Sequence, residues 1–130
     1  EVGDTATPFE HRPYDMELAR CQRYCIRIGY PFTTPNSGRR LGSGQASTST
    51  SATMVVSIPT DMRTQPSVSG TSLQINDVNT NASITAYSSI SDFSGSIFFA
   101  TTNASGLTAA NPVNIRFANT TAFLQFDAEL

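Results

Sequence analysis

Two stretches decide the fold, Val113-Asn114-Ile115-Arg116-Phe117 and Leu124-Gln125-Phe126-Asp127-Ala128. In both, apolar and polar side chains alternate with a period of two. That is the pattern of a strand with one face on a core and one face in water. Working outward, Ser96-Ile97-Phe98-Phe99-Ala100-Thr101-Thr102 reads as an apolar strand, and Ile84-Thr85-Ala86-Tyr87 as another. Leu73 and Ile75 alternate ahead of the turn-like stretch from Asp77 to Ser83. Met54, Val56 and Ile58 alternate ahead of Pro59, and the Ser/Thr run Ser47–Ser51 reads as an exposed strand. About seven to nine short strands at this spacing predict an all-β domain. The expectation is an antiparallel β-sandwich, jelly-roll-like, with one short N-terminal helix.

The helix is expected from about Tyr14 to Arg23. Tyr14, Leu18, Cys21 and Cys25 fall at i, i+4, i+7 and i+11, a single helical stripe. Such a stripe set near a molecular axis would join copies of the chain, so these four residues are the candidate oligomerisation surface. Asp15 near the start and Arg residues near the end suit the helix dipole. Residues 1–13, with two prolines and no periodicity, read as a connector. The rest, 14–130, reads as one domain, since 130 residues allow one core and hardly two. Cys21 and Cys25 lie four apart in a helical pattern, an awkward match for disulfide geometry. They are expected to be reduced and buried.

Charge narrows the function. Only 14% of residues are charged, all eight basic residues are Arg, and the net charge is −2. Without a basic stripe, nucleic acid is not the expected partner. No apolar run approaches the length that spans a bilayer as a helix. There is no nucleophile elbow, phosphate loop or dinucleotide fingerprint. His11 is the only histidine, so no His cluster offers a metal site and no cofactor is expected. Asp61, Asp77, Asp92, Asp127 and Glu129 are scattered; a catalytic pair among them is not expected, and Asp77 and Asp92 sit where Asp caps its own turn. The Asn-x-Ser/Thr triplets at Asn81, Asn103 and Asn119 read as turn residues. The domain is therefore read as a binding and structural module, not an enzyme. Residues 31–45, rich in Pro, Gly and Ser, read as a loop. Arg39 and Arg40 in it can grip a carboxylate or phosphate. Tyr30 and Phe32 at its start, and Phe93 elsewhere, can stack on a sugar ring. With the turns near Asn76–Asn81 and Thr101–Asn111, this loop is the expected binding region at the outer end of the sandwich.

A sharper reading comes from resemblance. Glu1-Val2-Gly3, Ala6-Thr7-Pro8-Phe9-Glu10-His11-Arg12 and Glu17-Leu18-Ala19-Arg20-Cys21-Gln22-Arg23-Tyr24 resemble a segment of bacteriophage and prophage tail fibre proteins. There an "LEVG" strand is followed by "ATPFEHR", a helix of the form "ELALCQRY" and a terminal domain. Ile58–Ser69 is similar to that family's "P-x-x-MR-x-x-P-x-V" stretch, and Phe126-Asp127-Ala128-Glu129-Leu130 to its terminus. Asp15-Met16 stands where the family more often has Gly-Glu, and Cys25 where an aromatic is common. The resemblance implies a distal, homotrimeric fibre domain in the virion, contacting other virion proteins and a host cell-surface glycan or protein. The alternative is a purely structural domain that trimerises, caps or anchors the fibre.

Overall fold

The computed structural model describes residues 12–29, 39–78, 80–91 and 94–128, with the backbone alone for 89–91. Helix α1 spans Tyr14–Gln22. The strands are β1 (Cys25–Gly29), β2 (Arg40–Ala46), β3 (Ser51–Ser57), β4 (Ser67–Thr71), β5 (Leu73–Asn76), β6 (Asn81–Ser91), β7 (Ser96–Asn103), β8 (Pro112–Phe117) and β9 (Phe123–Asp127). All strand pairs are antiparallel. The all-β class and the single short helix are as expected. The jelly-roll-like sandwich is replaced: β2-β3-β7-β6-β5-β8 close into a six-stranded barrel, and β1-β9-β4 form a separate three-stranded sheet. Closure follows from β8, which pairs with both β2 and β5 and so leaves that sheet without an edge.

Of the two strands whose alternation was plainest, β9 is the middle strand of the three-stranded sheet and β8 closes the barrel between β2 and β5. On β9, Leu124 and Phe126 are buried. Ile26 and Val68 face Phe126 from either side, while Ile28 and Gly70 face Leu124. On β8, Val113, Ile115 and Phe117 point into the barrel with Met54, Val56, Ile75, Ile97 and Phe99. One core serves both sheets: the Phe126 ring meets Phe99 edge-on at 5.9 Å, and the Tyr87 ring lies 6.2 Å from Phe99. Burying rings of this size dominates the energetics of such a core.

β4 and β5 are one line with a bend. Ser72, between them, has φ 53°, a left-handed conformation that an L-residue adopts at a cost. Its carbonyl accepts the Ala118 N–H at 2.9 Å. β6 pairs with β5 and continues beside β4, where the Tyr87 hydroxyl sits against Gly70. The 77–80 turn therefore lies at the end of this line opposite Ser67, whose partner Asp127 also faces Cys25 at the foot of α1. The foot of the helix and that turn lie at opposite ends of the β4–β5 line.

Several local expectations are corrected. Residues 40–45, expected within a 31–45 loop, belong to β2 (Arg40–Ala46). The glycines there are not turn residues: a Cβ at Gly42 would lie 2.2 Å from the Val55 carbonyl oxygen, and one at Gly44 1.8 Å from that of Thr53. They let β2 approach β3 more closely than any side chain allows. Ser47–Thr50 form the turn between β2 and β3, and only Ser51 of that run is in a strand. The helix ends at Gln22, and the stripe residues Tyr14, Leu18, Cys21 and Cys25 are all exposed instead of facing a core. No α1 side chain is buried; Tyr14 is 80% exposed, Met16 54% and Leu18 41%. Cys21 and Cys25 are not disulfide-bonded to each other, and both are exposed rather than buried. Cys25 belongs to β1, on the face turned away from Ile26. Residues 1–11 of the expected 1–13 connector, His11 included, and Tyr30, Phe32, Asp92, Phe93 and Glu129 lie outside the described residues.

Candidate functional site

At the end away from α1, three connections meet. In the first, the N–H groups of Ser47 and Thr48 both donate to the Ser51 carbonyl, at 2.9 and 3.2 Å. In the second, Asp77 N–H donates to the Thr80 carbonyl at 2.9 Å, and Asn76 Nδ2 donates to Asn81 Oδ1 at 2.8 Å. The third runs from Ala104 to Asn111. It is stitched to the first by Leu107 N–H to Ser49 O at 3.1 Å and by Asn103 N–H to Thr50 O at 2.7 Å.

Asp77 locks the second connection to the third. Its side chain is buried at 2% exposure, yet fully supplied with donors. Thr108 N–H donates to Oδ2 at 2.8 Å, Asn111 Nδ2 to Oδ1 at 3.0 Å, and Val78 N–H also to Oδ1. These donors, Thr108 first and Asn111 next, hold its carboxyl below the usual carboxylate range despite the opposing effect of burial. An aspartate occupied in this way is a structural clamp. The cap of its own turn was legible in the sequence; the reach across to Thr108 and Asn111 was not.

The surface so assembled is neutral. Residues 47–50, 78, 80–81 and 104–111 contain no charged side chain. They expose hydroxyls and amides at Thr48, Thr50, Asn81 and Thr108, with Val78 standing out as an apolar knob. Such groups match the hydroxyls and apolar faces of a sugar. Two of the three connections, Asn76–Asn81 and Thr101–Asn111, were expected from their turn residues. The third was missed because a Ser/Thr run reads equally as strand.

Arg39 and Arg40 are elsewhere. Arg40 opens β2 and pairs across the ladder with Arg116 of β8, and the Arg39 carbonyl accepts Phe117 N–H at 3.3 Å. Phe117 in turn faces Leu73, next to the Ser72 bend. The arginines thus lie at the start of β2, the end of that strand remote from the turn cluster, where one shared outer end had been expected. Arg116 Nε is buried without a hydrogen-bond partner, so the Arg40–Arg116 pair sets two like charges side by side with donor capacity to spare.

Among the described residues no group of three or more His, Cys, Asp or Glu side chains is placed to hold a metal ion, and no helix is long and apolar enough to cross a membrane. No family model, no curated protein and no solved structure matches the chain.

Proposed function

We propose that this chain is a bacteriophage tail fibre domain that assembles as a homotrimer through α1 and meets a host-surface glycan with its opposite end. It acts by binding and by holding the fibre together, not by catalysis. The observation that carries the proposal is the two-ended layout. At one end stands a nine-residue helix with no buried side chain; at the other, a neutral surface of turns is held rigid by Asp77. A helix this short does not hold itself together in water, so the uncovered Tyr14, Met16 and Leu18 call for a cover, and copies of the same chain supply it. The resemblance of residues 1–24, 58–69 and 126–130 to tail fibre segments points the same way.

The test separates the two ends. Light scattering on the chain extended at its N-terminal side should give a trimer, and Tyr14→Ser with Leu18→Ser should return it to monomer. Val78→Glu should leave folding and assembly intact but lower adsorption to host cells and signal on a glycan array. Arg39→Ala with Arg40→Ala probes the barrel wall in the same assay. If every assembled variant adsorbs normally, the exposed helix stands alone as an observation. The purely structural reading, a trimerising and capping domain, then replaces attachment.

A further inference from the structure

Beside the C-terminal end of α1 lies an open pocket of about 400 Å³ lined by Arg20, Arg23, Tyr24 and Arg63. Its frame is set by backbone bonds, not by the arginines. Arg63 N–H donates to the Arg23 carbonyl at 2.9 Å, which ties the 58–66 connection to the helix end. Ala128 N–H donates to the Tyr24 carbonyl at 2.7 Å, which ties the same point to the end of β9. The pocket therefore sits where three separate parts of the chain are fastened together, and its volume falls in the usual range for small-molecule sites.

Among the described residues its charge is unbalanced. Of the three guanidinium groups, only Arg20 has a carboxylate nearby among those residues, Glu17 Oε1 at 3.6 Å from Nη1, and Glu17 is shared with Arg12 at 3.2 Å. Among the described residues no carboxylate lies within 4.0 Å of Arg23 or Arg63. The guanidinium carbon of Arg63 lies 5.4 Å from the centre of the Tyr24 ring, which steadies it but leaves its fork of donors unspent. Arg20 and Arg23 also complement the negative end of the helix dipole. That effect is satisfied by one cation and does not explain why Arg63 is brought across from the 58–66 connection to join them. Like charges gathered around one hollow repel each other unless an anion sits between them.

We infer that this pocket binds a phosphate-class dianion, either free or as the phosphate ester of a sugar. Planar guanidinium forks match the oxygens of such a group two at a time. Three cations against one shared carboxylate suit two negative charges better than one. The site is independent of the attachment surface at the opposite end and stands whether or not that surface binds a glycan.

The test is titration of the full chain, in phosphate-free buffer of low ionic strength, with inorganic phosphate, glucose 1-phosphate and glucose. Calorimetry or amide shifts should show saturable binding of both phosphate probes and none of glucose. Tighter binding of the ester identifies a phosphorylated sugar as the source; equal binding identifies the free anion. Arg23→Gln with Arg63→Gln should weaken either phosphate probe by at least about tenfold. Arg27→Gln, the same charge loss on the outer face of the three-stranded sheet, where Arg27 stacks on Phe123, should leave binding unchanged. Should the double variant fail to fold, Arg23→Lys keeps the charge, loses the fork, and should weaken binding by an intermediate factor. Absence of saturable phosphate binding, equal response to glucose, or full retention of binding by the Arg23 and Arg63 variants would overturn the assignment.

Discussion

Helix α1 and strand β9 carry equally regular apolar patterns and end in opposite situations. Leu124 and Phe126 of β9 are sealed from water, while Tyr14 and Leu18 of α1 stand in it. β9 is the middle strand of its sheet, so Ile26 and Ile28 flank it on one side, Val68 on the other, and Phe99 lies beneath. Among the described residues, α1 is fastened past its last turn, through the carbonyls of Arg23 and Tyr24. Periodicity tells which side chains share a face. Whether that face is covered depends on what the rest of the chain, or another chain, lays against it.

Five substitutions sharpen this contrast, beginning with the largest expected effect. Phe126→Ala should cost about 3–5 kcal/mol, because the cavity opens where the sheet and barrel share their core. Urea unfolding would read it, and a loss under about 1 kcal/mol would mean that the two layers are not one core. Gly44→Ala should cost about 1–3 kcal/mol by overpacking, since the new methyl meets the Thr53 carbonyl and neither backbone can yield without opening β2 from β3. A neutral result would show that β2 is not held that close.

Asp77→Asn comes third. An amide cannot accept from Thr108, Asn111 and Val78 together, so the melting temperature should fall by several degrees, roughly 5 °C. The same residue gives a pH signature. The folded carboxyl titrates below its ordinary value of 3.8, so its contribution is complete above that pH and is lost as pH falls through the lower folded value. Thermal melts of wild type and Asp77→Asn should converge on the acid side; parallel curves would remove Asp77 as the clamp. The smallest effect belongs to α1. Leu18→Ser and Cys21→Ser should each change the stability of the isolated chain by less than about 0.5 kcal/mol, a value that Phe126 exceeds many times over. A larger loss in either would show that the helix face is covered within a single chain.

The sequence by itself determined the class. Alternation at Met54–Val56, Leu73–Ile75, Val113–Phe117 and Leu124–Ala128 is local backbone geometry, since successive strand side chains point to opposite faces whatever the neighbours are. The acidic start and basic end of α1 are local for the same reason. What lay outside that reach was set between distant residues. The strand at 40–46 looked like a loop because Gly42 and Gly44 serve a partner strand rather than their own segment. The closing of six strands into a barrel depends on β8 finding both β2 and β5. The exposure of Leu18 and Cys21, the clamp from Asp77 to Thr108 and Asn111, and the gathering of Arg63 with Arg20 and Arg23 all join parts of the chain that share no local pattern. Pairing and packing across the chain decide them, because a side chain's surroundings in a β-rich fold come mostly from residues far away in sequence.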